Sequence, residues 1–512
     1  MILDAKNFQE APDFLDVPVV IIGAGTVGLF LAVSLARARI STVVVETGGY
    51  VVDTSRSRQT AVSLGRPHAG VTLGRAFGLG GTSTLWAGQL AEFDEMDLIA
   101  PGREWPIEYS ELQRWYEHVY AFLKVKPVKL AANTFEGLGK QNEHGIERFL
   151  TSWMPRTNFA LLLRADISSS PFLKVILNAT ANDILFEGSK ATAVCVSVPS
   201  GRKITISGRT FVFASGTLEV NRFFLSTQRR SDVPWRHNRN IGTYFQDHFA
   251  GRVANVRILN ERKFRDYFER GFVSGTKFLP KLRNSSAFKR PAYSGVVGFF
   301  SYLSQLQENF DNLKLLVRTI RSGIDFSKFR TLPADLWSLG GVLFPLAVRF
   351  ARSRRIMVLM DRGVDFIIQS EQIPRAESVI RLMDEEPQQD GLFRLAVHWN
   401  LDGAEILNIR DFSCRVAKYL KQENIATLEI DERLLQGDAS ILEQFGDYYH
   451  QAGGMCIGGS ASSGVVDSDC RVWDTANVYV AGASVFPTSS HANITLTALA
   501  LTARLASFLE KL

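Results

Sequence analysis

Residues 17–22 (VPVVII) form an unbroken apolar run, the pattern of a strand buried on both faces, and the run ends abruptly in Gly23-Ala24-Gly25-Thr26-Val27-Gly28. The chain continues as LFLAVSLARAR, with apolar residues at helical spacing, and returns to a β-branched run from Ser41 to Val45. Strand, glycine turn, helix and strand in that order predict a βαβ unit. Between Lys174 and Gly216 the segments KVILNATANDILF, KATAVCVSV and RKITISGRTFVFASG are separated by turns at Gly188 and Ser200-Gly201, which predicts a β-meander. Residues 101–125 predict a helix opening at a proline, and 300–360 are predicted to be mostly helical. Residues 363–430 predict strands at VDFIIQ, SVIRLMD and FRLAVHWNL and a helix at DFSCRVAKYLKQEN. No internal repeat and no long linker interrupts this order.

The glycine turn carries the first chemistry. Gly23 permits a sharp turn, Gly25 lets a pyrophosphate approach the backbone, and Gly28 lets helix and strand pack closely. The helix N-terminus adds unpaired N–H groups and about half a positive charge. Glu46 closes the second strand, eighteen residues beyond Gly28, where a carboxylate accepts hydrogen bonds from ribose hydroxyls. An ordinary glycine turn is the alternative. A second cluster, Arg75-Ala-Phe-Gly78-Leu-Gly80-Gly81-Thr82-Ser83-Thr84-Leu85-Trp86-Ala87-Gly88, suits a backbone packed against a flat ring, with a surface loop as the plain alternative. The strand ending in Ala214-Ser215-Gly216 has small residues suited to lining the same cofactor.

Composition narrows the class. The 512 residues are 46% hydrophobic and 21% charged, which excludes extended disorder and fibrous or low-complexity architectures and suits roughly two to four domains. The longest apolar stretch, Leu336–Val348, holds 13 residues interrupted by Ser338, two glycines and Pro345, against about 20 needed to cross a bilayer. The first sixteen residues lack a basic leader, and Cys195, Cys414, Cys456 and Cys470 form no CxxC pair, so a reducing cytoplasm is the expected compartment. The net charge of +6 is unevenly placed: residues 314–355 hold nine Lys or Arg against Asp325 and Asp335. That segment suits either peripheral contact with the inner membrane surface or an ordinary helix with a solvated basic edge. No nucleic-acid recognition motif accompanies the charge, no His/Cys/Asp cluster has metal-ligand spacing, and no G-x-S-x-G nucleophile motif is present.

The last 65 residues are the most specific. His450-Gln-Ala-Gly453-Gly454 is followed by GVVDSDCRVWDTANVYVAGASVFPTSSHANITLTALALTARLASFLEKL. This resembles the C-terminal signature of the glucose-methanol-choline (GMC) flavin oxidoreductases, and GAGTVG, LGGTST, FASGTLE and NIGTYFQDH fall in that family's order. The resemblance implies an α/β fold, with a Rossmann-like FAD-binding domain over 15–100, 171–249 and 446–512. It implies a substrate domain of antiparallel sheet and helices over 101–170 and 250–445. By the same resemblance His450 matches the histidine that faces the flavin and accepts the alcohol proton, and Asn493 the second member of the pair. His491 competes with Asn493 for that place. His248 matches a histidine at the junction between domains, a structural position. The cofactor-binding set implied is Gly23, Gly25, Gly28, Glu46, Gly80, Gly81, Thr82, Ser83, Ala181, Ala214, Gly216, Ala481 and Gly482, with no metal.

Three positions depart from the family pattern: Gly454 replaces threonine, Ile494 replaces the proline after Asn493, and Gly482 stands where many members have aspartate. Glycine at 482 is shared with sugar-oxidising members resembling pyranose oxidase. In those members an S-T-H-W frame anchors FAD covalently through histidine; here the frame is Ser83-Thr84-Leu85-Trp86, so a non-covalent FAD is expected. Arg75 suits either a phosphate or a carboxylate partner. The resemblance implies oxidation of a hydroxyl of a carbohydrate or related polyol to a carbonyl, with a small-molecule alcohol or sugar as substrate and oxygen or another acceptor reoxidising the flavin. The alternatives are a GMC-fold lyase whose flavin is not redox-active and a membrane-surface oxidase of lipid-linked sugars.

Overall fold

The structure, a computed structural model, describes residues 1–8, 14–100, 102–128, 143–285, 288, 295–304, 348–401 and 403–512. Most of the basic segment 314–355 lies outside the described residues. Of its described part, Arg349 pairs with Asp266 at 2.8 Å and Glu269 at 2.9 Å, and Arg355 donates to the Glu269 carbonyl at 2.6 Å. No helix among the described residues is long and apolar enough to cross a membrane.

The continuous apolar runs build one parallel sheet. Its strands lie in the order Ile2–Asp4, Leu173–Leu177, Thr42–Val45, Phe14–Ile22 and Lys203–Phe213, with Val478–Val480 also pairing parallel to the last. The meander strands Thr180–Glu187 and Lys190–Ser197 extend this sheet in antiparallel pairing, as the sequence pattern predicts. The register matters most. Ile22 lies opposite Val45 and Phe213, and Phe213 opposite Val480, so four strands stop at one level. The residues that follow them, Gly23, Glu46, Ala214 and Ala481, therefore stand in one row at the carboxyl edge, where parallel α/β sheets place their ligands.

Helix Thr26–Arg37 packs on this sheet and on helix Ile494–Leu509, which in turn packs on Tyr109–Leu123. The last of these starts at Tyr109 rather than at Pro106, because Glu108 holds an extended conformation and caps it. A second, antiparallel sheet runs Ala426–Ile430, Phe249–Ile258, Gly363–Ser370, Val296–Leu303, Thr276–Asn284, Ile146–Trp153 and Gln89–Leu90. Helix Glu405–Gln422 packs on one face of it. The strand Val296–Leu303 corrects the helical expectation at residues 300–303, while residues 348–353 are helical and 305–347 lie outside the described residues. Its sequence VVGFFSYL is a short apolar run, and such runs look alike in a strand and a buried helix. Ala61–Gly65 joins Leu395–Trp399 and Val379–Leu382 in a small third sheet.

Close backbone approach fixes the first turn. A Cβ on Gly28 would lie 1.9 Å from the carbonyl oxygen of Gly23, which no rotamer change can relieve. Gly28→Ala is expected to separate helix from strand at a cost of about 1–3 kcal/mol, a drop of about 1–3 degrees in thermal midpoint measured by circular dichroism.

Candidate active site

The row of strand ends forms a cradle. Gly25 caps helix Thr26–Arg37 without any side-chain hydrogen bond, and a Cβ placed there would meet nothing within 4 Å, so the helix N-terminus opens on free space. Gly81 closes one side: its Cβ would fall 2.9 Å from the Gly25 Cα, which brings the two glycine clusters into contact. Gly80 and Gly216 hold positive φ values of 94° and 84°, and Gly482, at 118°, has only Val27 near its would-be Cβ, at 3.9 Å. Open space, bare backbone and unpaired amides at a helix N-terminus suit the pyrophosphate of a dinucleotide.

Glu46 does more here than its sequence position suggests. Its carboxylate accepts from the backbone amides of Ala24 at 2.8 Å and of Gly48 and Gly78 at 2.9 Å, tying both glycine clusters to the strand end. Burial pushes its pKa up while the three amides oppose that rise. Two oxygens offer about four lone-pair sites, so three amides leave room for a further donor. Ala181 lies two residues beyond Ala179, whose amide donates to the Glu46 carbonyl at 2.9 Å. Thr82 is exposed, whereas the buried Ser83 hydroxyl donates to the Gly80 carbonyl and accepts from the Phe159 amide, so it holds the loop. Leu85 is half exposed.

The second component is an antiparallel ribbon. Gln246 and Ala452 exchange both backbone hydrogen bonds at 2.9 Å, and Phe249 and Ala250 pair with Asp447 and Gly446. This ribbon sets His248 beside His450, with their Nδ1 atoms 2.8 Å apart and the rings nearly perpendicular. Only one of two facing nitrogens can carry the hydrogen between them. The Ser489 carbonyl lies 3.1 Å from His248 Nε2 and can only accept, so that nitrogen is protonated and Nδ1 of the neutral ring carries its lone pair. The shared hydrogen therefore sits on His450 Nδ1, and His450 Nε2 keeps a lone pair. Asn493 Nδ2 lies 3.0 Å from it.

Burial holds both rings neutral. His248 is pulled down to about 4, and His450 well below the ordinary imidazole value, with the Lys281 cation adding repulsion at each. His450 nevertheless keeps part of its surface open. The Asp247 carboxylate accepts the His450 amide at 2.7 Å and lies 3.1 Å from His68 Nε2. Asn493 caps helix Ile494–Leu509 without a side-chain cap bond, which leaves its amide for His450. The loop before it is pinned by Glu371, which accepts the amides of Ser489 and Ser490, and by Asp97, which accepts the Ser490 hydroxyl. His491 turns toward Asp97, 3.7 Å away, and packs edge-on against Phe149. Of the two competing residues, the structure brings Asn493 to His450.

Sequence spacing missed several of these contacts. Arg75 meets the Glu219 carboxylate at 2.5 Å, so a carboxylate is its partner. The fold also gathers His68, Asp247 and Asp447, and separately Asp94, Asp97 and His491, each set with ligand-type atoms within 4.8 Å, although no spacing in the sequence announces them. In the first set the Asp447 oxygens accept the amides of Ala69 and Gly70, and the cluster braces the ribbon under His450.

Residues 374–502 match the family model described as GMC oxidoreductase. The chain carries the GMC oxidoreductase C-terminal domain. Pyridoxine 4-oxidase from Mesorbium loti superposes with a TM-score of 0.56 at 15% identity, covering 96% of this chain and 99% of its own. An FAD-dependent oxidoreductase from Chaetomium thermophilum, in complex with a fragment, gives 0.59 at 13% identity over 97% of this chain and 99% of its own. Formate oxidase of Aspergillus oryzae, in a variant form, gives 0.56 at 13% identity over 98% and 99%. These likenesses show that the fold of those proteins is shared over nearly the whole chain. No curated protein matches the sequence.

Within this GMC domain the departure at 454 has a local cause. Gly454 has φ +84°, and a Cβ there would lie 2.4 Å from the side-chain amide of Asn221, which fills the space a threonine needs. The histidine pair also makes the fold acid-sensitive. An unfolded histidine takes up a proton near pH 6.5, and folded His248 only near 4, so stability falls as pH drops through that window. The expected loss from His248 is about 3 kcal/mol, measured by urea unfolding at intervals between pH 6.5 and 4, and His248→Gln is expected to flatten that dependence.

Proposed function

We propose that the protein is an FAD-dependent oxidoreductase that oxidises a hydroxyl of a carbohydrate or related polyol to a carbonyl. The observation that carries this reading is the His450 Nε2 lone pair, facing Asn493 in a recess beside the row of strand ends. The residues that would hold FAD are Gly23, Gly25 and Gly28 with the first helix N-terminus, Glu46, Gly80, Gly81, Thr82, Ala181, Ala214, Gly216, Ala481 and Gly482. They belong to the discontinuous domain 15–100, 171–249 and 446–512. When bound, the flavin supplies a hydride acceptor, and oxygen or another acceptor regenerates it.

The chain supplies the rest of the chemistry. An alcohol is a very weak acid, so loss of hydride from its carbon is easier as the hydroxyl proton leaves. A hydroxyl entering between His450 and Asn493 replaces their direct hydrogen bond: it gives its proton to the Nε2 lone pair so freed and takes the Asn493 Nδ2–H at its oxygen. His450 is suited to the first task because its ring is neutral and its tautomer is set by His248 and Ser489. Asn493 is suited to the second because the amide hydrogen it now gives to His450 passes to the substrate oxygen once the hydroxyl lies between them. The carbohydrate specificity rests on the Ser83-Thr84-Leu85-Trp86 frame and on Gly482.

His450→Ala is expected to retain flavin while anaerobic flavin reduction by the alcohol slows by about two orders of magnitude or more, measured by stopped-flow bleaching. An unchanged rate removes His450 from the mechanism, and a protein that takes up no flavin removes the whole reading. Leu85 has no nucleophile, so acid precipitation is expected to leave the flavin in the supernatant and the pellet colourless.

A further inference from the structure

The face of the antiparallel sheet opposite helix Glu405–Gln422 looks toward the histidines. Alternate residues establish this. Gly298 lies under Phe366 and Phe412 on the helix side, so its neighbour Phe299 points the other way, where its ring meets Tyr448, and Tyr448 meets His450 at 5.5 Å between centroids. Phe149, two strands away on Ile146–Trp153, shares that face and touches the His491 ring. Gln369, on Gly363–Ser370 at the other side of Val296–Leu303, donates to His248 Nδ1 and to the His491 carbonyl, both at 3.1 Å.

Lys281 stands in the middle of this apolar face. It is paired directly with Phe149 across one strand boundary, and its Nζ lies 5.2 Å from the Phe299 ring centre across the other. Its side chain is 4% exposed, and among the described residues no carboxylate pairs with it and no acceptor takes its hydrogens. Two other buried cations meet carboxylates, Arg75 with Glu219 and Arg222 with Glu219 and Asp390, whereas Arg148 also lacks one and lies over the Tyr267 ring at 3.4 Å. Burial draws the Lys281 ammonium down to about 8, with no acid opposing the shift, so it keeps its charge at neutral pH. Its charge reaches both His248 and His450. An unpaired buried ammonium is costly, and a fold keeps one where a ligand completes it.

We propose that Lys281 is the cationic end of the substrate recess and that the hydroxyl compound oxidised at His450 carries an anionic group, a carboxylate or a phosphate ester. This deepens the function proposed above and rests on it for the identity of the reacting hydroxyl, but not for the anion site. Lys281 is a specificity residue: it selects the substrate by charge and leaves proton transfer to His450.

The test compares charge at constant shape. Propionate and its neutral isostere propionamide are titrated against the flavin-loaded protein, following heat by calorimetry and the perturbation of flavin absorbance, with methyl phosphate as a third probe. The expected result is that propionate or methyl phosphate binds at least tenfold more tightly than propionamide. In Lys281→Met that ratio is expected to collapse to within threefold, and in Lys281→Arg to be largely restored, with unchanged thermal midpoints excluding misfolding. A propionate response identifies a carboxylate and a methyl phosphate response a phosphate ester. Equal binding of all three probes, or an anion preference that survives in Lys281→Met, overturns the proposal. Comparing D-gluconate with D-glucitol as flavin reductants separates the two readings. Neutral alcohols bleaching the flavin with no Lys281-dependent anion binding sinks only this inference, whereas such binding by a protein that takes up no flavin sinks only the proposed function.

Discussion

Two imidazoles facing one another through like nitrogens have room for a single hydrogen, and the side on which it sits decides what the pair can do. Here the decision is made by a carbonyl. Ser489 can only accept, so His248 must present its hydrogen there and its lone pair to His450. His450 is thereby compelled to keep its own lone pair on the outer nitrogen, beside Asn493. The arrangement joins three distant pieces of chain, and each is braced independently. Asp247 and the ribbon hold 446–452, Glu371 and Asp97 hold 488–493, and Gln369 reaches from the second sheet to His248 and the His491 carbonyl.

The glycine cradle owes its form to a different constraint, the common level at which four parallel strands stop. Register does this without any side chain: once Ile22 lies opposite both Val45 and Phe213, the next residues must emerge together. Glu46 then ties the aligned strand ends together by taking one backbone amide from each glycine cluster, Ala24 and Gly78, and a third from Gly48. A carboxylate used in this way makes the empty cradle stable before any ligand arrives, which favours binding by sparing the cost of ordering the loops.

Much of this was legible in the sequence, for identifiable reasons. Buried parallel strands advertise themselves as unbroken apolar runs, and a turn that must approach phosphate advertises itself as glycine, so Gly23, Gly25 and Gly28 are readable by local pattern alone. His450 and Asn493 needed the family resemblance, because forty residues separate them and nothing local marks either one. His248 was readable only as a structural histidine, since its influence on the tautomer depends on a partner 202 residues away. Glu371 was not legible, because its partners lie more than a hundred residues off and are backbone amides without sequence identity. Lys281 escaped for a related reason. In the alternating segment TKFLPKLRN a lysine suggests the solvent face, and only the packing of His491, Phe299 and Tyr448 over that face reverses the reading.

The electrostatics of the recess connect these parts. At neutral pH the positive charge resides on Lys281, not on either imidazole, because an ammonium lowered to about 8 still outranks a histidine lowered to about 4. A neutral His450 is ready to accept a proton, yet the imidazolium that results must form near a cation that repels it. A negative group seated against Lys281 would remove that repulsion, leaving His450 a stronger base in the occupied site than in the empty one. Binding and proton acceptance are then coupled through one charge, and a neutral alcohol of the same shape enters the recess without the field that makes its hydroxyl easy to deprotonate.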